Sequence, residues 1–436
     1  MLRHILLGAG VLAALFAILI FSGKLPIGKE ESQAKGSVVM WGTLSENEMA
    51  KIVSEYNPKV KDYQVSYKEI PETQFNQKLL EALANRTAPD LIIAPHQYIL
   101  ANANRLYPFP VASLTQKAYN DTYVDGGSVF MTASGPLALP IAIDPLVLFY
   151  NRSMLSQRGI ANPPQYWDEL LPMIPKLTIQ GANGQFELSA ISLGAPNTPY
   201  LKDILMSTVL QLGQTPVFTQ YQGDGTAIQT VLANAPINAK STSDGQVLPL
   251  ATAARFFSQF ADPTKSTYTW SQYGGDAMNQ FLALKSAMYI GHASEYPTLQ
   301  ARNPTADIQM TYLPQTRGYN TFVMTGDVYG VAALNTSANL VTALTVESQF
   351  ASMGIAPALA NIVGTVPALR AYTSAQGLSE VLAKSMLVAR PWYDTFPIQS
   401  ATYAATMMGD IISGRMGVND AAATFVSRLQ DLYTPL

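Results

Sequence analysis

The chain has 436 residues, of which 48% are hydrophobic, 13% charged and none is cysteine, with Lys+Arg at 27 and Asp+Glu at 30 for a net charge of −3. That length suggests two or three domains. The charge balance argues against a nucleic-acid binder, which shows a basic patch or stripe, and the lack of Cys excludes disulfides, thiolate nucleophiles and Cys-ligated zinc or iron–sulfur centres. Histidine occurs only at His4, His96 and His292, so no metal or other cofactor is expected.

The first element is an uncharged run, Ile5 to Phe21, between Arg3 and Lys24. As a helix it would span about 25 Å, near the lower limit for a bilayer. It is longer than a signal-peptide core and lacks a clear A-x-A site, which favours an uncleaved transmembrane anchor over a cleaved signal. With no second spanning segment, the body is expected outside the cytoplasm, held at the cell membrane by this single N-terminal helix. Lys24 to Gly36 reads as a polar tether.

Strand and helix then alternate. Ser37–Trp41 reads as a strand and Glu46–Tyr56 as a helix with Met49, Ile52, Val53 and Tyr56 on one face. Gln64–Glu69 is a strand, Glu72–Ala84 a helix and Asp90–Ala94 a buried strand. This order implies a parallel sheet with right-handed crossovers, whose ligands bind beyond the carboxyl ends of the strands. Those ends are Trp41-Gly42-Thr43 and Ala94-Pro95-His96-Gln97. A second alternating region follows Asn151, with helices expected at Trp167–Leu177, Tyr200–Leu212, Leu248–Phe260 and Gly275–Leu284. Its strands are expected at Leu188–Leu193, Ala287–Ile290, Ile308–Leu313 and Val328–Ala333. Gln214–Gln246 reads as an irregular excursion. The last hundred residues read as mostly helical, ending with Thr402–Ser413 and Val418–Leu432.

Several segments, in order, carry a family likeness: Val38-Val39-Met40-Trp41-Gly42, Leu79-Leu80-Glu81-Ala82-Leu83-Ala84 and Ala88-Pro89-Asp90-Leu91-Ile92. The most specific is the run from Leu139-Pro140-Ile141 through Asp144-Pro145 to Tyr150-Asn151-Arg152. Gly159-Ile160, Pro163-Pro164, Trp167-Asp168-Glu169-Leu170, Ala287-Met288-Tyr289-Ile290-Gly291 and Leu313-Pro314-Gln315 follow. Together they resemble the extracellular solute-binding proteins of ATP-driven (ABC) importers, in the sugar-binding group that includes maltose-binding protein. The resemblance covers nearly everything after residue 36. It implies an α/β, two-lobed periplasmic-binding-protein-like (type II) fold, with one lobe of residues 36–142 and 300–327 and the other of 147–298 and 330–436. A small solute, a sugar by this likeness, would bind between the lobes, and hinge closure would bury it. The partners implied are ABC permease subunits with a separate ATPase, since the chain has no G-x-x-x-x-G-K-[ST]. A monomer is expected.

A sugar offers hydroxyls at its rim and C–H groups on its face, so its site needs carboxylates or amides together with flat rings. Asp144 interrupts an apolar run, where a buried carboxylate is costly without partners. It reads as a ligand contact or a hinge carboxylate, and the matching family position carries an acid that accepts sugar hydroxyls. Trp41, Thr43 and Ser45 stand at the end of the first strand, and His96 and Gln97 at the end of the third. His292, Glu295 and Tyr296 follow a later strand where the family places a stacking aromatic; its usual Trp is absent. Trp392, Tyr393 and Tyr403 lie where the family's carboxy-terminal region reaches the ligand. Each aromatic has core packing as its alternative role, and Trp167 is assigned to packing.

An enzyme is not expected. G-x-S-x-G, H-E-x-x-H and a phosphate loop are all missing, Gly223-Asp224-Gly225 lacks a third dinucleotide glycine, and the S-x-x-K match at Ser32–Lys35 lies in the tether. The alternative is a membrane-tethered solute sensor not coupled to transport. Oligosaccharide, monosaccharide, polyol and glycerol-phosphate-like solutes all remain open.

Overall fold

The structure is a computed structural model that describes residues 34–433 except 183, 214–217, 222–227, 232–248 and 377. Of the side chains of 218–221 and 228–231 nothing is described. The Ile5–Phe21 anchor, the tether up to residue 33, Gly223-Asp224-Gly225 and most of Gln214–Gln246 lie outside the described residues. Among the described residues no helix is long and apolar enough to cross a membrane.

In chain order the elements that matter for the site begin with β1 (Gly36–Gly42), α1 (Glu46–Tyr56), β2 (Tyr63–Glu69), α2 (Phe75–Ala84), β3 (Leu91–Pro95) and α3 (His96–Ala101). Then come β4 (Leu139–Asn151), β5 (Phe186–Ile191), α4 (Leu201–Gln211), β6 (Ser286–His292), β7 (Ile308–Tyr312) and β8 (Gly326–Ala333). The chain ends with α5 (Leu340–Phe350), α6 (Ala356–Val363), α7 (Pro397–Ile412) and α8 (Val418–Tyr433). The chain divides into two compact units. The first takes the described residues up to Ile143 and Val328–Tyr372; the second takes the described residues of 144–221, 228–327 and from Thr373 on.

In the first unit β1 lies between β2 and β3, parallel to both. The reason is visible in the sequence. Val38 and Met40 are buried and alternate with exposed Ser37 and Val39, so one face of β1 carries the core. The α1 helix has Glu46 and Glu48 in its first turn, where its dipole favours acids, and it buries Met49 and Tyr56 against the same core. Antiparallel β8 lies on the other side of β3 from β1, with Tyr329 opposite Pro95 and Ala333 opposite Leu91.

The second unit has its own core around Val147, Phe149, Trp270, Phe281, Tyr289 and Leu299. Parallel β5 and β6 run side by side, and β4 pairs antiparallel with both β6 and β7.

The strand β4 is itself a crossing between units. Ile143 and Ala142 pair with Val366 and Pro367 in the first unit, while Leu146–Tyr150 pair with His292–Met288 in the second. Its near-total burial explains the apolar residues on either side of Asp144, since a strand covered on both faces loses the alternating pattern.

Two lobe assignments need correction. Residues 300–327 belong to the second unit, because β7 hydrogen-bonds to the second half of β4, from Ile308 opposite Asn151 to Tyr312 opposite Val147. Residues 328–372 belong to the first, because β8 pairs with β3 and Thr342 of α5 exchanges hydrogen bonds with the Lys35 backbone.

Candidate functional site

The carboxyl ends of β5 and β6 point the same way, as in any parallel pair. The antiparallel β4 sets Leu146 opposite His292, so Asp144, two residues earlier, lies just past the end of β6. The Asp144 backbone leaves no room beside it: a Cβ on Gly326 would sit 2.8 Å from the Asp144 carbonyl oxygen and 2.9 Å from Pro145 Cα. Only glycine fits that approach.

At this edge Asp144 and His292 meet. Asp144 is 4% and His292 8% exposed. His292 Nδ1 lies 3.0 Å from the Asp144 carbonyl oxygen and 3.8 Å from its Oδ2. The Ser294 backbone N–H donates to Asp144 Oδ1 at 2.9 Å. The Tyr200 ring stands edge-on to the imidazole at 4.7 Å, and its hydroxyl donates to Glu295 Oε1. Tyr200 has a φ of +52, in the left-handed region that costs a bulky residue about 1–3 kcal/mol and that clusters at functional sites.

Burial pushes the Asp144 carboxyl up, and nearby Asp327 adds to the shift. His292 and Ser294 oppose it, leaving a value of about 6. For His292 burial works toward the neutral form, yet Asp144, Asp327 and Asp203 together outweigh it and raise it to about 9.

A second group starts from α4. Buried Lys202 donates to Asp394 Oδ2 at 2.8 Å and lies 4.0 Å from Asp203. Burial alone would lower its pKa, but the two aspartates hold it above its ordinary value. Asp394 also accepts from Ser400 Oγ, the Phe396 N–H and Tyr433 Oη, so this fully buried carboxylate is well satisfied. The Lys202 ammonium lies 5.2 Å over the Trp392 ring, whose Nε1 donates to Asp203 Oδ1 at 3.2 Å. Trp392 is thereby fixed at one face and one edge.

In the first unit, the carboxyl ends of β1 and β3 hold Trp41, Thr43, His96 and Gln97. Half-buried Trp41 has the Lys68 ammonium 5.1 Å over its ring. A Cβ on Gly42 would come within 2.6 Å of the Ile93 carbonyl oxygen, so β1 and β3 close tightly here. The Thr43 N–H donates to that same oxygen, while its buried Oγ1 makes no hydrogen bond among the described residues. His96 is buried at the start of α3 and its Nδ1 accepts from the Val328 N–H at 3.4 Å; half-buried Gln97 follows it. Ser45 is exposed ahead of α1, and its side chain makes no cap there; Glu69 accepts from the Glu46 N–H instead.

The structure thus joins Asp144, His292 and Glu295, and holds Trp392 through Asp203 and Lys202. It places Tyr296 elsewhere: the ring stacks on Phe149 at 6.0 Å and 6° and serves the core. Tyr403 on α7 packs under Arg428 of α8 at 5.6 Å. Tyr393 is buried, and its carbonyl accepts from the Tyr433 hydroxyl. Trp167 packs edge-on to Phe257 and donates to Gln211, as a packing residue does.

Tyr200, Lys202, Asp203, Asp327 and Asp394 escaped the sequence reading. One signal was available: Lys202-Asp203 places two charges in an otherwise uncharged helix, and buried charges need partners. Among the described residues no group of three or more His, Asp or Glu is arranged to hold a metal ion.

The sequence matches the family of bacterial extracellular solute-binding proteins over residues 51–369. No curated protein matches it. Solved structures of similar fold include the GacH receptor of Streptomyces glaucescens, known with acarbose, at 16% identity and a TM-score of 0.66, covering 92% of this chain and 99% of that one. The cyclic α-maltosyl-1,6-maltose binding protein of Arthrobacter globiformis gives 15% and 0.71, covering 91% and 98%. The sugar-binding protein MalE of Xanthomonas citri gives 14% and 0.70, covering 91% and 97%.

Proposed function

The chain belongs to the bacterial extracellular solute-binding proteins, and from that premise we propose that it binds a carbohydrate and hands it to an ABC importer. One observation carries the proposal. The second unit presents a carboxylate, Asp144, at the carboxyl edge of its sheet, in the same unit as the fixed Trp392 ring. A carboxylate accepts from sugar hydroxyls and an indole covers a C–H face. The sugar ligands of structures with the same fold support the class. The role is capture rather than turnover. In the proposal, closure of the two units buries the solute, Ile5–Phe21 tethers the chain outside the cytoplasm, and a separate ATPase drives uptake.

The test is thermal unfolding of the full chain in detergent with maltose, maltotetraose, acarbose, tagatose and lacto-N-biose, beside amino acids, peptides and polyols. A ligand at 100 times its Kd adds about 2.7 kcal/mol to the folded state. A shift confined to saccharides is expected. Shifts with amino acids or peptides alone would overturn the carbohydrate class. Uptake of the labelled sugar should be lost on gene deletion; uptake left intact would remove the importer.

A further inference from the structure

Asp144 poses a physical question that its place in a solute site leaves open: what keeps so deeply buried a carboxyl charged. Resting on the carbohydrate reading, we propose that His292 is a positioning residue of the solute site, acting through Asp144. It holds the Asp144 carboxylate ionised and oriented as the acceptor for solute hydroxyls.

The geometry is specific. The imidazole Nδ1 hydrogen-bonds the Asp144 carbonyl oxygen at 3.0 Å and stands 3.8 Å from Oδ2, an ion-pair distance rather than a hydrogen bond. The Ser294 N–H fixes the other carboxylate oxygen. Tyr200, in its left-handed conformation, stands at 85° to the imidazole plane and is itself tied to Glu295. Gly326 lets the Asp144 backbone sit where His292 can reach it.

Three elements bring charged groups toward this pair. Asp327 comes from β8, Asp203 and Lys202 from α4, and Glu295 from the turn after β6. Lys202 is already paired with Asp394, so it adds little positive charge toward Asp144. The imidazolium is therefore the cation that opposes both burial and Asp327 at the Asp144 carboxyl. A packing role for His292 would need shape alone. A positioning role needs its charge, and that difference can be read from pH.

The experiment measures saccharide affinity against pH for the full chain in detergent, using the panel sugar with the largest thermal shift. In the wild type, affinity falls as pH drops through about 6, where Asp144 gains a proton. His292→Gln removes the cation, so this acid limb moves to higher pH. Once the limb has passed pH 7, binding there weakens roughly tenfold with each further pH increment of one. Asp327→Asn removes a repelling charge, so the limb moves to lower pH. Opposite movements support the proposal. Coincident profiles, or movement in one direction only, overturn it, because a change of packing alone would not sort by sign of charge.

A second measurement needs no sugar. In a chain with three histidines, the ring signals of 13C-histidine protein are few, and His292→Gln identifies its own. The His292 ring should titrate at about 9, and lower in Asp144→Asn. Titration near the ordinary value of about 6.5 overturns the positioning role. If no panel sugar binds the wild type, the carbohydrate reading falls and takes the proposal with it, and a high titration then shows only that His292 is charged beside Asp144.

Discussion

At Glu347 the first unit buries a carboxyl completely, on α5 near Tyr119 and Tyr123 and with no ion pair to a cation among the described residues. Burial pushes its pKa well above the usual range, against the single favourable contribution of the Ala333 N–H. The sign follows from linkage. A carboxyl that keeps its proton in the folded state longer than in the unfolded one loses stability as pH rises past about 4.5. Glu347→Gln removes the ionisable group and that cost with it. The variant should therefore melt above the wild type, with a gap that widens from pH 5 to pH 8, at about 2–4 °C per kcal/mol. A gap that stays constant with pH would mean that the carboxyl ionises as readily in the folded chain as in the unfolded one. The residue also shows where sequence reading stops. Asp144 could be picked out because it breaks an apolar run, and His292 because it ends a strand. Glu347 sits in a helix whose pattern tells which face is inside, but not that an acid lies there with no cation beside it among the described residues. Tyr200 and Asp394 were hidden for a related reason: their partners are 95 and 192 positions away.

The same distance limit acts on whole elements. Most strands and helices fall within a few residues of where periodicity put them. The α1 helix keeps the expected Glu46–Tyr56 bounds, because a 3.6-residue apolar stripe and an acidic first turn are local signals. Which unit an element joins is not local. Strand β7 has the same kind of apolar pattern in either place, and only its pairing with β4 decides. The segment after Trp392 shows how such pairing stabilises a unit. Asp394 links α4, α7 and α8 through Lys202, Ser400 and Tyr433. Removing one partner of a buried ion pair leaves the other uncompensated, at about 3–5 kcal/mol, while replacing both by apolar groups is often neutral. Asp394→Leu alone should thus cost about that much by chemical denaturation, and the double variant Lys202→Met/Asp394→Leu should recover most of it. A double variant as unstable as the single one would show that Asp394 acts through Ser400 and Tyr433 rather than through the charge pair.

Over the whole molecule, each unit has a hydrophobic core among its described residues, which makes separate responses possible. The charged groups that dominate them differ: Glu347 in the first, the Asp144–His292 pair in the second. The His292 sign is the usual one for a base that gains an acid. Its folded value of about 9 lies above its unfolded value of about 6.5, so its contribution is complete below 6.5 and is lost as pH rises through 9. Its partner Asp144 works oppositely on the acid side, since burial raises it to about 6 and the folded state gains as pH falls from 6 toward 4. The second unit should therefore lose stability between pH 6.5 and 9, on the order of a few kcal/mol for so buried a group. Calorimetry across that range should show the transition that carries the second unit falling, with the fall reduced in His292→Gln. If the two units melt independently, each variant moves one transition only. If the crossings at Ile143–Asp144, Asp327–Val328 and Tyr372–Thr373 bind them into one cooperative body, both variants move a single shared transition. A shared transition would also mean that a solute stabilising one unit protects the other, which links capture to the stability of the entire chain.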